Sequence, residues 1–454
     1  MKRTGLMVFI GMFLILCMLP AAAMLVTGPS EAAANEILAQ PPALYDGEGT
    51  INLRYLNDCS DYLTDRFAGR QELITLNARL EATVLGESAS EDVILGKDGW
   101  LFYRTTLDDF QGTNRLSDRE IWAAAHCIKL VQEEAAKRNM AFLFTVVPNK
   151  NTLYPEYMPN SYIHSDTPGN LVHLETAIEA ESIPYVSIKD VFCKQETVLY
   201  HKLDSHWTNL GAALAHDAIL SALGKNGAAM YQPESFTARA DHKGDLYQML
   251  YPTGTETDIQ LYPAWEWRYT YDKPLRSVED QRIDTTCEGA DGSLFMFRDS
   301  FGNTLHSFMA ESYAKACFSR AMPYQLSLPE LTDADTLIIE IVERNIPWLT
   351  QRAPIMEAPK REIMLAQEET ACKVAVREVK SEYNLFCYTG NIEEEMDADS
   401  PIYLICNGEA YEAAPAGEGF QPFTAYLNGN VQTLRLAWKQ NGNYVLTQEI
   451  SCEK

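Results

Sequence analysis

What most constrains this chain is an alternation between residues 141 and 342, where short apolar runs are separated by stretches of helical period. Ala141–Val147 is one run, ended by Pro148, and others lie at Pro184–Ile188, Ser293–Phe297, Cys317–Phe318 and Thr336–Val342. A strand with no polar face has to be covered on both sides. The stretches between supply the cover. Ser117-x-x-Glu120 reads as a capping box ahead of a helix whose apolar face holds Ile121, Ala125, Ile128 and Val131. Further helices are expected near Gly169–Glu181, from a cap at Thr208 or Asn209 to about Gly224, and over Phe301–Tyr313. The pattern predicts an α/β fold, a parallel sheet with helices on both faces, and in such sheets functional groups gather beyond the C-terminal strand ends.

The flanks differ. Lys2 and Arg3 precede an apolar run from Gly5 to Val26, long enough to span a bilayer core of about 30 Å with its basic end inside. Ala32-Ala33-Ala34 would suit cleavage of a signal peptide, so a retained anchor and a removed signal are both open. Residues 31–90 form a polar, partly helical lead-in with Leu53, Leu56, Leu63 and Phe67 loosely periodic. Ile94 to Tyr103 reads as a hairpin turning at Asp98-Gly99. After Pro359 short alternating stretches at Val374–Val379, Ser400–Cys406, Phe420–Leu427, Thr433–Trp438 and Tyr444–Gln448 predict a small antiparallel β-sandwich or barrel. The expected division is 1–30 signal or anchor, 31–90 lead-in, 91–358 α/β domain and 359–454 β module.

With 37 Lys+Arg against 63 Asp+Glu the formal charge is −26, which repels phosphate backbones and excludes most nucleic-acid binding. The cysteines show no C-x-x-C, so a zinc ribbon or redox motif is unsupported. Cys372, Cys387, Cys406 and Cys452 are near enough in sequence to pair with one another within the β module.

Two strand ends carry residues that packing does not require. Phe295-Met296-Phe297 runs into Arg298-Asp299-Ser300-Phe301-Gly302-Asn303, which places Ser300 at a strand-to-helix turn beside backbone N–H groups suited to an oxyanion. His201-Lys202-Leu203-Asp204-Ser205-His206-Trp207 offers a base, with Asp204 able to orient His206. From spacing alone a serine there, or Asp299, is usually a helix cap, and His201-x-x-Asp204-x-His206 is more often an ordinary polar loop than a metal cluster.

Four blocks in one order add a resemblance: Gly96-Lys97-Asp98-Gly99-Trp100-Leu101-Phe102-Tyr103, Val147-Pro148-Asn149-Lys150, Leu203-Asp204-Ser205-His206-Trp207-Thr208 and Arg298-Asp299-Ser300-Phe301. Over roughly residues 90–350 the chain resembles the SGNH hydrolase-like proteins of the AlgX/AlgJ type and the related DHHW family, which serve exopolysaccharide O-acetylation. The resemblance implies an SGNH-hydrolase-like (flavodoxin-like) sheet with circularly permuted motif order, since Asp204 and His206 precede Ser300. It implies an acetyl-serine mechanism without metal or cofactor: Ser300 as nucleophile, His206 as base and then acid, Asp204 orienting it. It further implies a membrane-bound O-acyltransferase as acetyl supplier and a polysaccharide acceptor. Position 205 is Ser where the DHHW pattern has His, and the serine block reads Arg-Asp-Ser rather than Gly-Asp-Ser. No Gly-x-Asn-Asp block is present, but Arg344 and Asn345 end the strand where it should fall, and Arg320 is similarly placed. With Arg298, Asn303, Asn149 and Lys150 these are the candidate oxyanion or substrate contacts. Local cations such as Arg298, Arg320 and Arg344 act within a Debye length of about 8 Å, against the bulk charge. An esterase using the same three residues and a non-catalytic glycan-binding scaffold are the alternative readings.

Overall fold

The computed structural model describes residues 3–32, 36–45, 47, 49–225, 229–326, 328, 333–364, 369–370, 374, 376–380 and 384–453. Helix α1 (Arg3–Thr27) reaches a mean hydropathy of 2.5 and none of that stretch is buried, so its apolar surface has no partner within the chain. It is long and apolar enough to cross a membrane. Two further helices, Tyr55–Arg66 and Arg70–Leu80, lie in the lead-in. Strands β1 (Val93–Leu95) and β2 (Leu101–Tyr103) pair antiparallel, and Asp98 and Gly99 between them take left-handed φ of 53° and 76°.

The capping box forms as expected: Ser117 opens α2 (Asp118–Lys137), accepting from the Glu120 N–H, while the Glu120 carboxylate takes the Ser117 N–H. β3 (Ala141–Val147), α3 (Asn170–Ala180), β4 (Tyr185–Ser187) and α4 (Asn209–Ala222) follow. Thr208 caps α4 by accepting from the Gly211 N–H at 3.2 Å. Then come β5 (Phe236–His242), the short α5 (Asp245–Leu250), β6 (Asp258–Pro263), β7 (Tyr269–Tyr271), β8 (Arg282–Cys287), β9 (Ser293–Phe297), α6 (Gly302–Glu311), β10 (Lys315–Ser319) and β11 (Thr336–Val342).

Seven strands form one sheet in the order β4-β3-β11-β9-β10-β8-β7. The first five are parallel. β8 and β7 join antiparallel at one edge, so the sheet is mixed rather than wholly parallel. The sequence reading missed this pair because β7 is a short edge strand and β8 beside it is buried on alternate residues, with only Ile283 and Cys287 as apolar positions. One face packs Phe144, Phe297 and Ile339 under α2 and α3, and the other packs Leu143, Met296 and Ile338 under α4 and α6.

Beyond β11 the chain forms β12 (Lys360–Arg361), β13 (Glu369–Thr370), β14 (Val376–Lys380), β15 (Phe386–Asn391), β16 (Ile402–Cys406), β17 (Glu409–Ala413), β18 (Pro422–Leu427), β19 (Thr433–Gln440), β20 (Asn443–Thr447) and β21 (Ile450–Glu453). They make a ten-stranded, mainly antiparallel sheet around Tyr388, Leu404, Phe423, Leu436 and Trp438. Two pairs, β13 with β20 and β14 with β21, are parallel, which corrects the purely antiparallel expectation. Cys387, Cys406 and Cys452 carry free thiols, so the anticipated pairing does not occur among them, and Cys372 lies outside the described residues. This sheet is joined to α2 through polar contacts: His126 Nε2 meets Glu412 Oε1 at 2.9 Å, and Glu412 Oε2 accepts from Arg361 Nε at 2.5 Å. Arg361 also pairs with Glu133 on α2.

Candidate active site

The serine turn is held by the residue before it. Asp299 Oδ1 accepts the Phe301 N–H at 2.9 Å, while Oδ2 accepts the Val342 N–H at 2.7 Å and Asn345 Nδ2 at 3.3 Å. Asp299 thus ties the end of β9 to the end of β11 and leaves Ser300 to face out. Gly302 is required here by close approach, since a Cβ would meet Arg298 Cβ at 2.5 Å.

The second loop follows the short helix Ile188–Phe192 and not a strand end as expected, and it closes on itself, with the His201 N–H bonded to the His206 carbonyl at 3.1 Å and Thr208 N–H to Leu199 O at 2.7 Å. Within it Asp204 Oδ1 accepts the His206 backbone N–H at 2.9 Å and Nδ1–H at 2.8 Å. Nδ1 then carries the proton, so Nε2 accepts, and it lies 2.9 Å from Ser300 Oγ. Ser300, His206 and Asp204 therefore stand in one hydrogen-bonded line. Trp207 packs beside it, buried, edge-on to Phe301 and donating to the Phe301 carbonyl at 3.1 Å.

The other Asp204 oxygen has partners that the sequence did not suggest. Oδ2 accepts from His242 Nε2 at 2.9 Å and from the Asp245 N–H at 3.0 Å. Burial opposes the Asp204 charge, yet hydrogen bonds from His206 and His242 hold the carboxyl well below the usual range. Burial also opposes an imidazolium at His206, but the hydrogen bond and charge of Asp204, with the charge of Asp245, keep His206 above its ordinary value. Asp245 is itself raised by burial and by Asp204, and it accepts from Ser205 Oγ at 2.6 Å. His201 stacks on His242 at 3.9 Å and lies 3.1 Å from Gln260 Nε2, with burial pushing it down to about 4. The metal alternative fares differently from the motif that suggested it. His201 is not in the group; Asp204, His206 and Asp245 offer ligand atoms within 4.8 Å of one another, and those atoms are already engaged in hydrogen bonds.

Asn149 and Lys150 lie beneath this loop and do not line the cleft. Lys150 Nζ donates to the carbonyls of Leu101 (2.7 Å), Lys202 (2.8 Å) and Asp204 (2.9 Å), which uses all three of its protons. Burial pushes its amine down to about 7, against the opposing pull of Asp204 and Asp245. Asn149 donates its N–H to Glu343 Oε2 at 2.8 Å and its side chain to Asp109 at 2.9 Å. Burial pushes Glu343 up to about 7.

Ser300 opens into a cleft of about 770 Å³ lined also by Arg298, Arg320, Arg344, Asn345 and Glu340. Arg344 lies over the rings of Tyr103 and Phe301, Arg320 pairs with Glu279, and Asn303 bridges Arg298 and Glu279. The cleft thus brings Arg298, Arg320 and Arg344 together with Glu279, Asp299 and Glu340. His242, Asp245 and Glu340 are the residues sequence reasoning missed. The first two are the last residue of β5 and the first of α5; β5 is an exposed strand without an apolar run, and the one signal is Gly244-Asp245 after a histidine.

Residues 93–287 match the family described as "SGNH hydrolase-like domain, acetyltransferase AlgX". This chain resembles the AlgX/AlgJ-type SGNH hydrolase-like proteins. The match contains Asp204, His206, His242 and Asp245 but ends before Ser300, which geometry alone joins to them. The fold of the α/β unit is accordingly SGNH hydrolase-like. Over 207 residues, 44% of this chain and 51% of the relative, it is 25% identical to the "Probable alginate O-acetylase AlgJ" of Pseudomonas syringae pv. tomato. Its identity to the protein of the same description from Pseudomonas aeruginosa is 25% over 181 residues, 38% of this chain and 44% of that one. The chain thus spans about half the length of the curated relatives it matches. Among solved structures, Bacillus cereus PatB1 aligns with TM-score 0.44 and 15% identity, covering 56% of this chain and 97% of its own. The O-acetyltransferase domain of Pseudomonas putida AlgJ aligns with TM-score 0.40 and 18% identity, covering 56% and 92%.

Proposed function

We propose that this chain is an extracytoplasmic O-acetyltransferase that carries acetyl on Ser300 to hydroxyls of an exported polysaccharide. The observation that carries the reading is the unbroken line Ser300 Oγ–His206 Nε2, His206 Nδ1–Asp204 Oδ1 at the mouth of a cleft. Ser300 Oγ attacks the acetyl carbonyl of the donor as its proton passes to His206 Nε2. The donor's bond to acetyl breaks, and its leaving oxygen takes that proton. A sugar hydroxyl then attacks the acetyl-serine, giving its proton to His206, and Ser300 leaves and recovers it. Asp204 holds the tautomer and stabilises the imidazolium. Arg320, Arg344 and Asn345 are read as contacts for acyl oxygen or acceptor, and Asn303 with the outer nitrogens of Arg298 as shaping the turn. Asn149 and Lys150, fully engaged below the site, are read as supports rather than as substrate contacts. The name of the AlgJ relatives favours transfer to a polysaccharide. Asp204 and His206 preceding Ser300 suits the permuted order of that group.

The unpartnered apolar surface of α1 suits a membrane anchor at 1–30, with 31–90 as lead-in, 91–358 as the catalytic domain and 359–454 as a carbohydrate-binding module. A membrane-bound O-acyltransferase is then the acetyl supplier. The test uses an aryl acetate with and without oligosaccharide, and a fluorophosphonate probe. Transfer to sugar above hydrolysis, and labelling abolished in Ser300→Ala, are the expected results. Hydrolysis that sugar never diverts makes the chain an esterase, and equal labelling of wild type and variant removes the triad.

A further inference from the structure

β11 and β9 run parallel with Ile339 beside Phe297, so the next residue of each, Glu340 and Arg298, stand side by side where the strands meet the cleft. Both are buried, at 2% and 4% exposure. The outer nitrogens of Arg298 are engaged: Nη1 bonds the Asp299 carbonyl and Asn303, and Nη2 bonds the carbonyls of Val278 at 2.8 Å and Asp280 at 3.3 Å. Its Nε has no hydrogen-bond partner among the described residues, and neither has Glu340 Oε1. Glu340 Oε2 accepts the Asp299 N–H at 3.2 Å, so the structural task of holding the serine turn falls to that oxygen alone. A buried donor and a buried acceptor are thus left open on neighbouring residues, lining the cleft into which Ser300 opens. Buried polar atoms without partners are destabilising, and their native occurrence calls for a ligand or water. Burial and a hydrogen bond to the Asp299 carboxylate hold Glu340 well above the usual carboxylate range. Oε1 is therefore the open acceptor of this side chain. A hydroxyl accepts and donates at one oxygen, so it can meet Arg298 Nε–H and Glu340 Oε1 together.

We propose that Arg298 Nε and Glu340 Oε1 form a hydroxyl-binding subsite that seats a second hydroxyl of the acceptor while another attacks the acyl group on Ser300. The inference rests on the acyl-transfer reading and adds to it a selectivity: polyhydroxylated acceptors are taken over monohydric alcohols. Glu340 and Arg298 line the same cleft as Ser300, and Glu340 holds the residue before the nucleophile through its bond to the Asp299 N–H.

The experiment gives the full chain p-nitrophenyl acetate with glycerol and 1-propanol together and measures the ratio of the two acetate esters. Both alcohols compete for one acetyl-enzyme, so the ratio does not depend on how fast that intermediate forms. Wild type should favour glycerol about tenfold or more per hydroxyl, because a site built to pair a hydroxyl rejects the analogue without it. Glu340→Gln retains an acceptor oxygen and should keep the ratio within about twofold, whereas Glu340→Met should lower it at least fivefold. Glu340→Leu repeats the measurement if the Met variant does not fold. A Met or Leu variant with the wild-type ratio means that only water occupies the subsite, and overturns the proposal, as does a wild type without preference. A wild type that releases p-nitrophenol but forms neither ester overturns the transfer reading itself, a result separate from any effect of the variants.

Discussion

Ser300 can give its proton only to a neutral imidazole, so the state of His206 decides the pH at which the site works. His206 is held above 6.5 because Asp204 and Asp245 outweigh the burial that works against its charge. The acid limb of kcat/KM for an aryl acetate should therefore lie above pH 6.5. Asp245→Asn removes one of the two anions and should move that limb to lower pH; an unmoved limb would mean that the Asp245 charge is not felt at His206. Asp204→Asn acts differently, since it disturbs the tautomer that leaves Nε2 free to accept. A loss of about 10³–10⁴-fold in kcat is expected, with fluorophosphonate labelling slowed in proportion. His242 reaches the reaction only through Asp204 Oδ2 and is a positioning residue. His242→Gln keeps a donor near that oxygen and should recover most of the rate that His242→Ala loses, which a merely space-filling role would not allow.

The elements that carry these residues were legible to different degrees. β3, β9 and β11 lie at the centre of the sheet, covered on both faces, and their apolar runs declare them in the sequence. The edge strand β7 and its neighbour β8 are half exposed and carry little apolar signal. Ser300, Asp204 and His206 could be picked out because each sits in a short polar block at the end of a strand or in a capped loop. His242 and Asp245 could not, since their meaning depends on α5 folding back against the loop of Asp204. Lys150 could be recognised as part of a pattern, but its task of gathering three carbonyls exists only in three dimensions. The approach of α5 depends on Gly244, where a Cβ would fall 2.1 Å from the Leu203 carbonyl oxygen. Gly244→Ala must push α5 away from the loop, withdrawing the Asp245 N–H from Asp204. A destabilisation of about 1–3 kcal/mol is expected by denaturant unfolding, together with reduced kcat. A variant as active and stable as wild type would show that the backbone yields there without cost.

At the scale of the whole molecule the α/β unit and the C-terminal sheet meet through a chain of charges that is buried at His126 and Glu412 and half-buried beyond them. His126 on α2 faces Glu181 at 3.4 Å and Glu412 at 2.9 Å, Glu412 faces Arg361, and Arg361 faces Glu133. Trp122 and Lys129 bear on Glu181 from the same helix, and Tyr403 lies near Glu412. Burial lowers the His126 pKa, but hydrogen bonds to both glutamates outweigh it, and the folded value is raised above 6.5. The stabilisation it gives is therefore complete below about pH 6.5 and is lost as pH rises through that raised value. Glu412 and Glu181 are held below 4.5, so their contribution is present above that pH and lost on further acidification. The seam should be strongest between roughly pH 4.5 and 6.5. Breaking one partner of a buried pair costs about 3–5 kcal/mol, which sets the size expected for His126→Gln at pH 5.5. As pH is raised, for example to 8.5, wild-type His126 moves toward its neutral form and the gap between the two proteins should shrink. Unfolding of wild type, His126→Gln, Glu412→Gln and the double variant at both pH values measures this directly. A coupling between the two positions that is large at pH 5.5 and small at 8.5 is the expected outcome. A coupling independent of pH would assign the contact to packing, with the imidazole neutral in the folded protein throughout.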